Sequence, residues 1–375
     1  MNSGSYPVAE GSEVYRTWNP IRSAIFTIHY DSEEYGDRGN SLKEKGFREF
    51  CARSKLDEKT VRAHVKVVRE FEIFLRKKNR NLNNATAADV QSFVTRLIKK
   101  SENSWVNFLG LLRYSRFVSN RKGEVTLLEL MDGSDVLENL SAILKNAVGE
   151  SKHDEVFDGI GLPPLGTHSK DKPRTTRKFM ENLETRLGEK KTREILSSGP
   201  HAGPKEEYLP VKQDFMASNS LDDFLEKKRK EYVELLEKHM KEKTLYFTQE
   251  IDEEVLDYVR KTPTCQVGVR EGDVIYVTKI PYMTKKYLHE KDLKRKRYYY
   301  CHCPWVREAI LSDVKISPNF CYCSAGFEKR VWDVIFDQPV EAKVLETVLR
   351  GDSICKFAIH LPKEYVKSMH TSGVA

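Results

Sequence analysis

The stretch Asp57-Glu-Lys-Thr-Val61-Arg-Ala-His-Val65-Lys-Val-Val68-Arg-Glu-Phe71-Glu-Ile-Phe74-Leu75-Arg76 decides how the first half of the chain is read. Val61, Val65, Val68, Phe71 and Leu75 recur at steps of four and three, the spacing of one helical face. Arg62, Lys66, Arg69 and Arg76 lie between them. At about 100° per residue these four cations fall within about 80° of one another, opposite the valine and leucine stripe. One face buries and the other presents ammonium and guanidinium groups.

Helical periodicity continues outward from there. Thr86-Ala-Ala-Asp89 reads as a helix start, with Val90, Phe93, Val94 and Leu97 behind it. A third helix near 104–119 offers Trp105, Phe108, Leu112 and Phe117 for burial. Shorter helices at about 125–131 and 135–147 complete an all-α unit over 58–147. Residues 1–57 mix Gly, Ser, Asn and charge around one apolar patch, Ile21–His29, and read as a loosely ordered lead able to dock a short strand or helix. Residues 148–174 carry Gly159, Gly161, Pro163, Pro164, Gly166 and Pro173, the composition of a linker. Two prolines stand where a phosphate-cradling turn would need its helix, so the dinucleotide reading fails there.

The region 175–362 changes character. Helices are expected at about 175–197, 220–243 and 251–261. A hairpin follows, Cys265–Val269 and Val274–Lys279 around Glu271-Gly272-Asp273. Arg297–Cys303 is tyrosine-rich and reads as a strand, Ser324–Phe336 as a helix, and Val340–Val348 and Ile354–Leu361 as strands joined at Arg350-Gly351-Asp352. Residues 363–375 form a tail. The fold expected is multidomain: an all-α N-terminal domain and an α+β C-terminal domain with an antiparallel sheet.

Composition agrees with that division. For 375 residues, 39% hydrophobic and 10% aromatic content suffices for real cores and argues against wholesale disorder. Lys and Arg number 63 against 56 Asp and Glu, a net charge of +7, so any nucleic-acid case rests on local clustering. Mean hydropathy is −0.58, and no apolar run approaches the ~20 residues of a membrane span. The first residues have neither the basic start nor the apolar stretch of a secretory signal, which points to the cytoplasm and to reduced thiols.

Five of the seven cysteines crowd the last quarter: Cys301, Cys303, Cys321, Cys323 and Cys355. They include two C-x-C pairs, Tyr300-Cys301-His302-Cys303-Pro304 and Cys321-Tyr322-Cys323. On strands each pair would present two sulfurs in one direction, with His302 facing away. Two facing pairs would make a tetrahedral four-thiolate site suited to zinc or an iron–sulfur cluster. Two alternatives stay open. Cys323 abuts a helix start, where the dipole would make a reactive thiol, and free cysteines also simply pack cores.

Cys321-Tyr-Cys323-Ser-Ala-Gly, Gln338-Pro-Val340, and Leu345-Glu346 through Gly351 to Cys355-Lys-Phe357 resemble the end of 4-vinyl reductase-type ligand-sensing domains. The same ending is similar to that of relatives described as aminothiazoline-carboxylate hydrolase-like. The resemblance implies a zinc site drawn from Cys303, Cys321 or Cys323, Glu346 and Cys355. Where many members place a further cysteine, this chain has Thr347-Val348-Leu349.

In the helical half, Leu56-Asp-Glu-Lys-Thr60, Phe71, Phe74-Leu75, Thr86-Ala-Ala-Asp89, Ser101-Glu-Asn-Ser104 and Leu111-Leu-Arg113-Tyr114-Ser-Arg116-Phe117 resemble the core-binding, SAM-like domain of phage-integrase-type tyrosine recombinases. That resemblance implies DNA held by backbone contacts, with Arg62, Lys66, Arg69, Arg76, Arg113 and Arg116 as the candidate contacts. From charge alone the same residues describe a solvated face. None of the ten histidines begins His-x-x-Arg, so strand cleavage by a tyrosine nucleophile is not expected. A second basic run, Lys285-Lys286, Lys291 and Lys294-Arg-Lys-Arg297, precedes the tyrosines.

The function expected is a non-catalytic protein that binds double-stranded DNA, with a C-terminal domain sensing a metal, a thiol reagent or a small molecule. The alternative is a metal- or thiol-dependent, hydrolase-like enzyme acting on a small molecule. The chain lacks the G-x-S-x-G, H-E-x-x-H and Walker signatures.

Overall fold

The computed structural model describes residues 42–54 and 56–371, with side chains described as far as residue 367. Ile21–His29 lies outside the described residues. The described residues divide into two compact units: 42–134 together with Pro163–His168, and Asp135–Leu162 together with 169–371.

The first unit is all helix: α1 Glu44–Arg53, α2 Glu58–Arg76, α3 Ala87–Lys99, α4 Trp105–Phe117 and α5 Arg121–Met131. Asp57 caps α2 by accepting from the Thr60 amide at 2.8 Å. Val61, Val65, Val68, Phe71 and Leu75 are all buried, as their spacing requires. Thr86 and Asp89 form the reciprocal cap of α3, the Thr86 amide donating to the Asp89 carboxylate at 3.0 Å and the Asp89 amide to Thr86 Oγ1 at 3.3 Å. Helices α2 and α4 approach so closely that a Cβ on Gly110 would stand 2.9 Å from His64 Cα.

Two parts of the chain are more ordered than their composition suggests. Helix α1 lies in the stretch read as a loose lead, and it is held by fully buried Phe47 and Cys51, Phe47 meeting the Tyr114 ring edge-on at 5.0 Å. The Gly/Pro stretch 148–174 is structured too. Its segment Pro163–His168 belongs to the first unit, where the Asn103 amide donates to Leu165 O at 3.0 Å.

The second unit is α+β. It opens with α6 Val136–Val148, α7 Glu150–Phe157 and α8 Pro173–Leu196, which bends at Gly188. Then come α9 Leu209–Met216, α10 Leu221–Glu242, the two-residue strands β1 Leu245–Tyr246 and β2 Gln249–Glu250, and α11 Glu253–Arg260. The main sheet joins β3 Val269–Glu271, β4 Val274–Thr278, β5 Glu341–Glu346 and β6 Lys356–His360 in the order β3-β4-β6-β5, every pair antiparallel. Between β4 and β5 lie α12 Thr284–His289, α13 Leu293–Tyr300, α14 Arg307–Leu311 and α15 Tyr322–Ile335. Last is α16 Lys363–Thr371.

Ile275 pairs with Ile359 and Val277 with Phe357 across the sheet, and one core gathers Ile275, Val277 and Ile359 with Trp332, Ile335 and Phe224. A second core gathers Phe179, Leu183, Trp305, Phe320, Tyr300, Cys301 and Cys323. Val136, Leu137, Leu140 and Leu144 of α6 pack into that second core, so α6 joins the α+β unit and not the helical one. Arg297–Cys303 is not a strand. It is the end of α13 and the loop behind it, because Tyr300 is drawn fully into the helical core. Residues 363–371 of the expected tail form α16, which places Tyr365 and Val366 against the sheet core.

Candidate functional site

Charge is distributed unequally along the chain. Residues 42–134 contain 20 Lys and Arg against 11 Asp and Glu, a net +9, which exceeds the +7 of the whole chain. The hydrophobic stripe of α2 fixes which cations face outward. Arg62, Lys66 and Arg69 are exposed, as is Arg76 at the end of the helix. Arg62 Nη1 lies 3.6 Å from Glu58 Oε1, Arg69 touches the Glu44 carboxylate, and Arg76 Nη2 lies 2.7 Å from Glu72 Oε1. The Arg62 and Arg69 pairs lie at the surface and are worth about 0–1 kcal/mol each, little enough for a phosphate to replace the carboxylate, whereas the Glu72 partner of Arg76 is buried.

Arg113 and Arg116 do not join that face. Arg113 is only 9% exposed and sits beside buried His64. Arg116 is half-buried, its Nε donating to Glu124 Oε1 at 2.9 Å. The position of α4 inside the bundle, packed against α2, explains both. Burial, aided by the nearby Arg113 charge, holds His64 neutral with its pKa lowered to about 4.

In the second unit the C-x-C pairs sit at helix ends, not on strands. Cys301 follows α13 and Cys303 lies in the loop beyond. Cys321 closes the short 3-10 turn Pro318–Cys321, and Cys323 is in the first turn of α15. Cys355 immediately precedes β6. The fold nevertheless gathers them: Cys301 lies within electrostatic reach of Cys303, Cys355 and Cys321, and Cys323 within reach of Cys303 and Cys321. Cys301 and Cys323 are buried, whereas Cys303, Cys321 and Cys355 keep some exposed surface. Burial pushes the thiols of Cys301, Cys321, Cys323 and Cys355 upward. At Cys323 burial outweighs the helix start, so the activated thiol expected at that position is not what the environment produces.

Within electrostatic reach of Cys303, Cys321, Cys323 and Cys355 is a residue the sequence did not single out. Lys279, just past β4, places its Nζ 3.4 Å from Glu328 Oε1 and 3.4 Å from Ser324 Oγ, both on α15. The rings of Phe327 and Phe357 lie 5.6 and 5.8 Å from the ammonium. Burial alone would lower the Lys279 pKa, but the Glu328 carboxylate and the thiols of Cys355 and Cys303 raise it. Burial likewise raises Glu328 against the pull of Lys279. Two imidazoles stand close by. His201 stacks on Phe327 at 5.0 Å, and His302 Nε2 donates to Ile280 O at 2.5 Å. Burial and then the Lys279 charge hold them neutral, with pKa values of about 4 and about 3.

The gathered thiols are not arranged as the zinc or iron–sulfur site expected of them. Among the described residues no group of three or more His, Cys, Asp or Glu side chains is arranged to hold a metal ion. Glu346 ends the edge strand opposite Lys356, at an irregularity in the β5–β6 register. Cys321 Sγ is engaged by Thr347 Oγ1 at 2.9 Å. The positive charge among the sulfurs is an ammonium, and a metal cation would have to enter against it.

Residues 47–118 match the phage integrase, N-terminal SAM-like domain. The matched stretch runs from α1 to the end of α4, within the unit that carries the charge excess, and it is compatible with DNA binding. Residues 283–366 match a family of unknown function, DUF6144, and not the 4-vinyl reductase-type domains that the chain's last strands resemble. The DUF6144 match takes in all five clustered cysteines, with Lys279 just outside it. No curated protein and no solved structure matches the chain. No helix among the described residues is long and apolar enough to cross a membrane.

Proposed function

We propose that the protein binds double-stranded DNA through its helical unit, while its C-terminal unit responds to a thiol reagent or a small molecule. The observation that carries the first part is a coincidence of three features: the integrase-like match at 47–118, the net +9 of residues 42–134, and the outward Arg62, Lys66 and Arg69 on α2. Phosphate contacts supply most of the sequence-independent affinity for DNA, and each contact releases condensed counterions. A helix that buries one face and presents three cations on the other suits backbone contact. The second part is supported by the thiols of Cys303, Cys321, Cys323 and Cys355 within electrostatic reach of the buried Lys279, which pairs with Glu328.

Replacing Arg62, Lys66 and Arg69 with Ala removes three exposed charges and no core residue. Binding to duplex DNA should fall across all sequences, and the log–log salt slope should shrink by up to ~3 units, about one per lost contact. Mobility shifts at several salt concentrations measure both. An unmodified protein with no salt-sensitive association at low ionic strength would falsify the DNA-binding reading.

A further inference from the structure

We infer that Cys355 and Cys321 form an oxidisable pair, closing to a disulfide when the protein meets a peroxide. The inference names the chemistry of the C-terminal unit within the reading above and rests on that half of it alone.

The pair is built around Thr347. Its hydroxyl lies 2.9 Å from Cys321 Sγ, and continuing the β5–β6 ladder one residue past Glu346 and Lys356 sets Thr347 opposite Cys355. One threonine beside both residues makes Cys321 and Cys355 neighbours. Thr347 is only 1% exposed and is firmly held: its amide donates to Asp352 Oδ2 at 2.8 Å, and the Leu349 amide donates to Thr347 Oγ1 at 3.3 Å. Arg350 Nε fixes the same Asp352 oxygen at 2.9 Å. Both sulfurs therefore approach a rigid turn, and both residues keep exposed surface where Cys301 and Cys323 do not.

The sheet register distinguishes the two thiols. Thr278 pairs with Lys356, so continuing the ladder by one residue sets Lys279 opposite Cys355. The Tyr300 hydroxyl donates to Lys279 O at 2.7 Å and lies 3.5 Å from Cys355 O, which ties the two backbones together. The Lys279 ammonium favours an anion on the Cys355 sulfur, against the burial that favours the neutral thiol. Its place opposite Lys279 makes Cys355 the attacking thiol and Cys321 the resolving one.

The chemistry balances with a peroxide as oxidant. The Cys355 thiolate attacks one peroxide oxygen, the O–O bond breaks, and hydroxide leaves carrying the electron pair. The product at Cys355 is a sulfenic acid. The Cys321 sulfur then attacks the Cys355 sulfur, the S–O bond breaks, and water leaves with the Cys321 proton. Two thiols and one hydrogen peroxide become one disulfide and two waters. Thr347 lies beside both residues and contacts the Cys321 sulfur.

The test treats the reduced full-length chain with about one equivalent of hydrogen peroxide and maps its peptides by mass without reduction. The expected result is a single linked peptide joining Cys321 to Cys355, with two of the seven thiols consumed. Cys321→Ser should stop at a sulfenic acid on Cys355 that dimedone traps, whereas Cys355→Ser should leave Cys321 untouched at the same dose. Thr347→Val should slow pairing several-fold without changing which cysteines pair. A link between any other two cysteines, or no thiol loss where free cysteine is oxidised, overturns the proposal. So does dimedone trapping at Cys321 in preference to Cys355. If a variant fails to fold, the mapping of the unmodified chain still decides. Thiol masses are read independently of DNA mobility, so this proposal and the DNA-binding one fail separately.

Discussion

The two units handle charge in opposite ways. In the helical unit the cations of α2 stand in water, and their carboxylate partners at Glu58 and Glu44 are surface groups as well. In the α+β unit the Lys279–Glu328 pair is sunk among thiols and rings, with side chains 12% and 9% exposed. The difference is one of exchangeability. Water screens the surface pairs, so a phosphate can take over an arginine at little cost. The buried pair has given up its hydration, and each member depends on the other. Surface charge suits a partner that comes and goes, whereas buried charge fixes the polarity of an internal site.

The comparison breaks most readily at Lys279. Removing one partner of a buried ion pair strands the other, at a cost of about 3–5 kcal/mol. Lys279→Met should therefore lower the urea unfolding midpoint steeply. Lys279→Met combined with Glu328→Met should recover much of the loss, since an apolar pair needs no compensation. Removing the equally charged Arg62 from the helical unit should cost about 0.5 kcal/mol or less. Equal losses at Lys279 and Arg62 would show that the pair is not functionally buried.

Close packing offers a smaller effect, and here the units should agree. A Cβ on Gly110 would meet the α2 backbone, and a Cβ on Gly326 would lie 2.6 Å from Ser197 O. In both cases the obstacle includes main chain, which cannot swing aside as a side chain tip does. Gly110→Ala and Gly326→Ala should each cost about 1–3 kcal/mol by overpacking, measured by denaturant unfolding. A stabilising Gly110→Ala would mean that α2 and α4 sit further apart than described.

How much of this was legible in the sequence follows the same division. The helical unit is read from local spacing: the Val61-to-Leu75 stripe sets the buried face of α2, and Thr86 with Asp89 announces α3. Arg113 was misplaced because its exposure depends on how α4 packs, and spacing along α4 does not show that. In the α+β unit the hairpin at Glu271-Gly272-Asp273 and the paired strands flanking Gly351 were readable, since turn residues and alternation are local. Tyr298-Tyr299-Tyr300 favours a strand intrinsically, but the core around Tyr300 overrides that preference. The cysteines announced themselves by clustering. Lys279 gave no signal: a lysine at a strand end is ordinarily solvated, and its burial depends on Glu328, 49 residues further on. Thr347 reads in the sequence only as a position lacking a cysteine, whereas the structure sets it against the Cys321 sulfur and opposite Cys355.

The smallest expected effect concerns acid, and His64 carries it in the helical unit. The ring is fully buried, and neither nitrogen has a hydrogen-bond partner among the described residues. Its pKa in the folded state is about 4, against 6.5 for an ordinary histidine. The unfolded chain therefore binds a proton between those values that the folded chain refuses, and stability must fall as pH drops through that window. Above about pH 6.5 neither state is protonated and the effect vanishes. Between pH 7 and pH 5 the loss from this group is at most about 2 kcal/mol, since one pKa unit corresponds to about 1.4 kcal/mol. His201 and His302 act with the same sign in the other unit, so whole-protein acid sensitivity alone cannot assign it. Hydrogen-exchange mass spectrometry of α2 and α4 peptides in urea at both pH values isolates the helical unit. His64→Gln, a neutral side chain of similar reach, should flatten the pH dependence of those peptides while leaving that of β4 and α15 unchanged. If the α2 peptides keep their full acid sensitivity in His64→Gln, the proton is taken up elsewhere in the helical unit.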